Sequence, residues 1–314
     1  MKRICVFDAH CDTISRCWRE CEGLDRNTGM ISLERTAGFA LYCQFFALWT
    51  ADGYTGSPAG GDSVERAYFA LLRCFREQMN RNAGKIVQCR TVRDVECAHR
   101  QGKAAAFLTV EGAELLGCDP ARLDEAAAEG VVAINLTWNH ANALSGSHCD
   151  EQSRGLSPLG RQFVTKMEDL QILVDVSHLS EAGFWNVAEQ ARRPFIASHS
   201  NAKSVWDCTR NLTDEQINAI IKNQGVIGLN FYEDFVGGRR DLDALRAHLD
   251  HILSLGGEAH VALGGDWDGC DTIDALPSID RLVDFYEYLL CHGYNETVVR
   301  DLFYNNLMRV VRQR

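Results

Sequence analysis

Eight short apolar runs, each followed by a stretch of helical period, constrain this chain more than anything else in it. The predicted strands are Arg3–Phe7, Phe39–Phe46, Ala104–Thr109, Val131–Asn135, Ile172–Val176, Pro194–Ala197, Gly225–Leu229 and Val261–Gly264. Their nearly continuous apolar character is that of strands buried on both faces, as in a parallel sheet covered by helices. Eight such units in 314 residues fit one (β/α)8 barrel of the TIM type with surface insertions, a single domain over residues 1–314.

Start signals mark several helices. Ser157 precedes Pro158 and a segment running to Leu170, and Ser180 precedes one ending at Gln190. Thr213 and Gln216 spell a capping box for a helix to about Asn223. Asp241–Leu255 is amphipathic, and Asn295 starts a last helix with a basic end at Arg309, Arg312 and Arg314. The stretch Ala51–Gly61, rich in Gly, Ser and Thr, reads as a mobile insertion.

Composition narrows the function. A chain that is 46% hydrophobic and 24% charged can build a large core, which excludes a disordered protein. A net charge of −11 without any basic run argues against a nucleic-acid partner. The apolar stretch near the N-terminus meets Asp8 too soon for a signal peptide, and no stretch approaches the roughly 18 apolar residues of a membrane span. The 13 cysteines include no CxxC pair and are odd in number, so they are expected to be mostly buried, reduced thiols of a cytoplasmic protein.

Polar residues follow the strands in a pattern. Asp8, His10 and Asp12 come after the first, Glu111 after the third, and Asn139 and His140 after the fourth. His178, His199, Asn230 with Tyr232, and Asp266 with Asp268 follow the remaining four in turn. In a β/α barrel all these positions converge on the face that carries the chemistry. Alone, His10-x-Asp12 reads more readily as a polar turn, Glu111 as half of an ion pair, and a single histidine as a satisfied core residue. Val-Ser-His at 176–178 and Ala-Ser-His at 197–199 present equivalent imidazoles from neighbouring strands, which shifts the balance toward ligands. His10, Asp12, Glu111, His178 and His199 offer imidazole and carboxylate without thiolate, a mixture suited to zinc, or to manganese, iron or cobalt. One carboxylate with two oxygens can bridge a pair of ions.

These residues lie in segments that resemble the renal or membrane dipeptidase family of metal-dependent barrels. The segments are Asp8–Asp12, Val110–Gly112, Gly155–Arg161, Leu173–His178, Pro194–Ser200, Arg210–Asp214, Gly264–Gly269 and Asn305–Val310, in the family's order. The resemblance implies hydrolysis of dipeptides with a free C-terminal carboxylate by a hydroxide between two zinc ions. His10 and Asp12 would hold one ion, His178 and His199 the other, and Glu111 would bridge them. Arg210 would grip the substrate carboxylate, Asp266 would carry the proton, and Tyr232 would line the pocket. A homodimer is also implied. Cys11 and Ala9 depart from the usual asparagine and glycine. Trp138 stands where mammalian members carry an oxyanion-stabilising histidine, and His140, two residues on, is the substitute. Hydrolysis of cyclic amides, lactones or N-acyl amino acids, or a non-catalytic metal-binding homologue, remain alternatives. The related enzymes of the first kind often bridge their metals with a carbamylated lysine, and no lysine ends a strand here.

Overall fold

A computed structural model describes residues 3–51 and 62–314; the predicted insertion at 51–61 thus falls almost wholly outside the described residues. Nine parallel strands are seen among them: β1 (Cys5–Asp8), β2 (Leu41–Leu48), β3 (Ile86–Gln88), β4 (Ala104–Glu111), β5 (Val131–Asn135), β6 (Leu173–Asp175), β7 (Ile196–Ala197), β8 (Val226–Leu229) and β9 (Val261–Leu263). All but β3 close into a barrel. β2 pairs with β4 from Cys43 opposite Ala105 to Leu48 opposite Val110, and β1 meets β9 at Asp8 and Leu263. The sequence reading did not foresee β3, which lies along the first half of β4, where β5 has not yet begun to pair.

The period of two along each strand separates two cores. Outward residues such as Ala106, Leu108 and Val110 pack beneath the helices. Inward residues such as Phe7, Phe45, Ala105 and Phe107 fill the barrel, with Leu307, Met308, Val310 and Val311 of the terminal helix Asn306–Gln313 in the same cluster. Phe7 stacks on Phe107 with centroids 5.3 Å apart and meets Phe45 edge-on at 5.4 Å. The barrel therefore has an apolar floor. Following β4 upward on that face, Phe107 and Thr109 lead to Glu111, so alternation alone carries this carboxylate to the top of the interior.

The predicted caps form. Ser157 accepts from Gly160 N ahead of Pro158–Asp169, and Ser180 accepts from Gly183 N ahead of Glu181–Gln190. Thr213 and Gln216 bond reciprocally ahead of Asp214–Lys222. Asn295 caps Glu296–Arg300, and Asp241, which the sequence offered only as the start of an amphipathic stretch, caps Leu242–Ser254. All 13 cysteines are free, but only six are fully buried, fewer than composition alone led us to expect. No helix of the described residues is long and apolar enough to cross a membrane.

Candidate metal centre

β1 does not end abruptly at Asp8. Ala9 N donates to Leu263 O at 2.9 Å and Asp12 N to Trp267 O at 2.8 Å, so the pairing with the β9 side continues and sets His10 and Asp12 beside Asp266. Asp8 itself is structural. Its carboxylate accepts from His10 N, Gln44 Nε2, Gly265 N and Trp267 Nε1 at 2.9–3.1 Å. Asp268 is likewise consumed, by Thr13 Oγ1 at 2.7 Å and Met30 N at 2.6 Å.

Asp175, at the top of β6, plays the matching part for the two histidine turns. Its Oδ1 accepts from both Ser177 N and Ser198 N at 3.0 Å, locking together the backbones that carry His178 and His199. The second turn leans far into the barrel: a Cβ at Gly228 or Gly264 would stand 1.9 Å from Ser198 O, so only glycine fits at these two positions. His178 and Asp266 both adopt left-handed backbone, φ 68° and 59°. Such conformations are costly away from glycine and tend to persist where function requires them.

The side chains meet. His10 Nε2 lies 3.4 Å from Glu111 Oε2, 3.6 Å from Asp12 Oδ2 and 3.9 Å from Asp266 Oδ1. Glu111 Oε1 lies 2.9 Å from His178 Nε2 and 3.5 Å from His199 Nε2, and those two nitrogens are 2.9 Å apart. Thus all five residues predicted as ligands converge, with Asp266 added, and each Glu111 oxygen faces a different histidine group. Glu111 is 3% exposed and His199 is wholly buried.

Charge divides the cluster. Burial opposes the imidazolium of His10, but Glu111 and Asp12 outweigh it and hold its pKa well above the usual value. His178 and His199 go the other way, held well below by burial and then by Arg210 and the neighbouring imidazoles. Burial also raises Glu111, to about 7. The donors fit a divalent cation. His10 Nε2 and Asp12 Oδ1 are buried without any hydrogen-bond partner, two imidazoles are held neutral, and carboxylates crowd together with only a proton to offset them.

Arg210 is buried, not the surface residue that a cap position could have made it. It donates to Ser200 Oγ and to His199 O, both at 3.1 Å, and lies 5.4 Å over the Phe235 ring. Its Nε has no partner, and among the described residues no carboxylate lies within 4.0 Å of it. With His148 and His178 it lines a cavity of about 110 Å³. Tyr232 packs on Phe235 at 4.7 Å, but its hydroxyl donates to Asp234 at 2.8 Å. His140 stands exposed on the rim, its ring 5.7 Å from that of Trp138, which lies 6.5 Å from His178. Sequence reasoning missed Asp175, hidden inside a strand, and His148, which lies in a loop without periodicity. Burial and then the Arg210 charge push His148 down to about 3, so it is neutral.

An eight-stranded barrel with imidazoles and carboxylates gathered at the C-terminal strand ends defines a metal-dependent hydrolase. More particularly, residues 1–314 match the membrane dipeptidase family, peptidase family M19, and the chain belongs to it. A metallopeptidase from Rhodobacter sphaeroides, solved with a phosphinate mimic of the dipeptide L-Ala-D-Ala, superposes with a TM-score of 0.87 at 30% identity over 99% of both chains. Dipeptidase AC, also of family M19, gives 0.90 at 29% identity, again over 99% of both chains. A Klebsiella pneumoniae protein, described as an uncharacterized protein in the pqqA 5′ region, is 32% identical over 264 residues, 80% of this chain and 97% of its own.

Proposed function

We propose that the protein is a dipeptidase with two zinc ions, acting on substrates that carry a free C-terminal carboxylate. The observation that carries this reading is Glu111, whose two oxygens face His10 on one side and His178 and His199 on the other. His10 and Asp12 would hold one ion, His178 and His199 the second, and Glu111 would bridge them. When bound, the pair of ions polarises the scissile carbonyl and acidifies a water toward hydroxide near neutral pH.

The chain's own residues do the rest. Arg210 receives the substrate carboxylate: its buried, unpaired Nε and the absence of a carboxylate partner among the described residues leave a cation seeking an anion. Holding the carboxylate there orients the peptide bond toward the carboxylate cluster, an effect worth several kcal/mol in favourable cases. Asp266, 13% exposed at the edge of the cluster, accepts the proton of the attacking water and returns it to the leaving amine. Asn230 Nδ2 holds its other oxygen at 3.1 Å, aiming the free one inward. His140 and Tyr232 stand outside this set, one on the rim and the other bound to Asp234. The 13 free thiols, three of them exposed, favour a reducing cytosol.

The deciding experiment combines zinc quantification with hydrolysis of L,L and L,D dipeptides, hydantoins and lactones, each with and without chelator. Two zinc ions per chain and chelator-sensitive cleavage of dipeptides alone are expected. Turnover confined to the cyclic substrates, or none of any kind, would overturn the reading.

A further inference from the structure

Behind His178 stand three polar side chains with no part in the chemistry above. Asn139 Oδ1, from the loop after β5, lies 2.8 Å from His178 Nδ1 and also 2.8 Å from His148 Nε2. His148 Nδ1 in turn lies 2.9 Å from Thr209 Oγ1, and His148 N donates to His178 O at 2.8 Å. Thr209 immediately precedes Arg210.

Two proton arrangements satisfy these contacts, and the first of them leaves His178 Nε2 free for metal. His178 Nδ1–H and His148 Nε2–H both donate to the Asn139 carbonyl oxygen, and the Thr209 hydroxyl donates to His148 Nδ1. Turning the amide over would aim its NH2 group at both rings. His178 would then carry its proton on Nε2, the atom 2.9 Å from Glu111 Oε1 and 2.9 Å from His199 Nε2, and its lone pair there would be lost. A histidine ligand commonly has its far nitrogen fixed in this way.

We propose that Asn139, His148 and Thr209 are positioning residues, a brace that keeps the Nε2 lone pair of His178 free for metal and ties that ligand to the carboxylate-binding arginine. The frame closes on itself. From Arg210 it runs through His199 O at 3.1 Å to the His199 ring, across to His178, and back by Asn139, His148 and Thr209. The metal half of this proposal stands without any substrate; the arginine half rests on the dipeptidase reading.

The test is zinc affinity, measured by competition with a chromophoric chelator, alongside kcat and KM for a dipeptide and for its C-terminal amide. Asn139→Leu, which keeps the size and removes the acceptor, should weaken one zinc site about 10- to 100-fold. Asn139→Asp, which keeps the acceptor, should retain it, a rescue that a merely space-filling role does not predict. Equal loss in both variants, or none in Asn139→Leu, overturns the brace. Should Asn139→Leu fail to fold, Thr209→Val serves, since Thr209 is exposed. It should weaken zinc about threefold to tenfold, the worth of one neutral hydrogen bond, and Thr209→Ser should restore it. Thr209→Val should also raise KM for the dipeptide while sparing the amide; an unchanged KM overturns the link to Arg210. If no dipeptide is cleaved at all, the functional reading falls, and the zinc competition still decides the brace.

Discussion

The two halves of the metal centre are built from opposite electrostatics. On the β1 and β9 side, Asp12 and Asp266 flank one imidazole, whose pKa Glu111 and Asp12 hold well above the usual value against burial. On the β6 and β7 side, two neutral imidazoles share their surroundings with a buried arginine. Glu111 belongs to both. The site is therefore polar across its width, negative toward Asp266 and positive toward Arg210, and a zwitterionic dipeptide has a matching pair of ends. On the proposed dipeptidase reading, this asymmetry would orient the substrate before any metal is considered.

The residue common to both halves should show the largest effect. Glu111→Gln removes the shared charge, so both zinc ions should be lost, with kcat/KM down by about a thousandfold or more, some 4 kcal/mol of barrier. Metal content and activity are measured on the same sample; two retained zincs with full turnover would dissolve the idea of a shared ligand.

Glu114 sharpens the comparison from outside, as a buried acid with no cation beside it among the described residues. Its Oε2 accepts from Asn142 Nδ2 at 2.8 Å, its Oε1 has no partner, and burial pushes it up to about 7. Between 4.5 and about 7 the unfolded chain is ionised here while the folded chain keeps its proton. The folded state then binds more protons, so this group's contribution to stability falls as pH rises through that window and is level above it. Glu114→Gln should accordingly stabilise the protein by about 3 kcal/mol at pH 8 and by little at pH 4. Denaturant melts at both pH values test this, and an equal gain at each would remove the acid from the explanation.

The positive half gives the smallest of the three effects. Arg210→Ala should raise KM for free dipeptides about 30- to 100-fold, roughly 2–3 kcal/mol, from the loss of charge-assisted hydrogen bonds. C-terminal amides should be little affected. Equal losses on both substrates would detach Arg210 from the carboxylate.

Legibility in the sequence followed the same physics. Glu111 was readable as a lone carboxylate at the end of a buried, otherwise uncharged strand, and His178 and His199 because their strands repeat one Ser-His ending in register. Asp175 was not, since an acid inside an apolar strand looks the same whether it pairs with a cation or, as here, receives two backbone amides. β3 escaped because three residues with Val87 exposed leave too little pattern. His148 and Asn139 meet through loop geometry, for which no period exists. Likewise nothing in Asn-Phe-Tyr at 230–232 reveals that the Tyr232 hydroxyl turns to Asp234.

Phe7 stacked on Phe107, with Phe45 edge-on and the terminal helix in the same cluster, fills the barrel below the site among the described residues. On the proposed dipeptidase reading, the substrate and both product amino acids would pass over the strand-end face that carries the site. Turnover would then be a matter of queueing as well as of bond breaking: each spent fragment would have to leave before a fresh substrate could settle, and a fragment that kept its carboxylate on Arg210 would delay the next arrival.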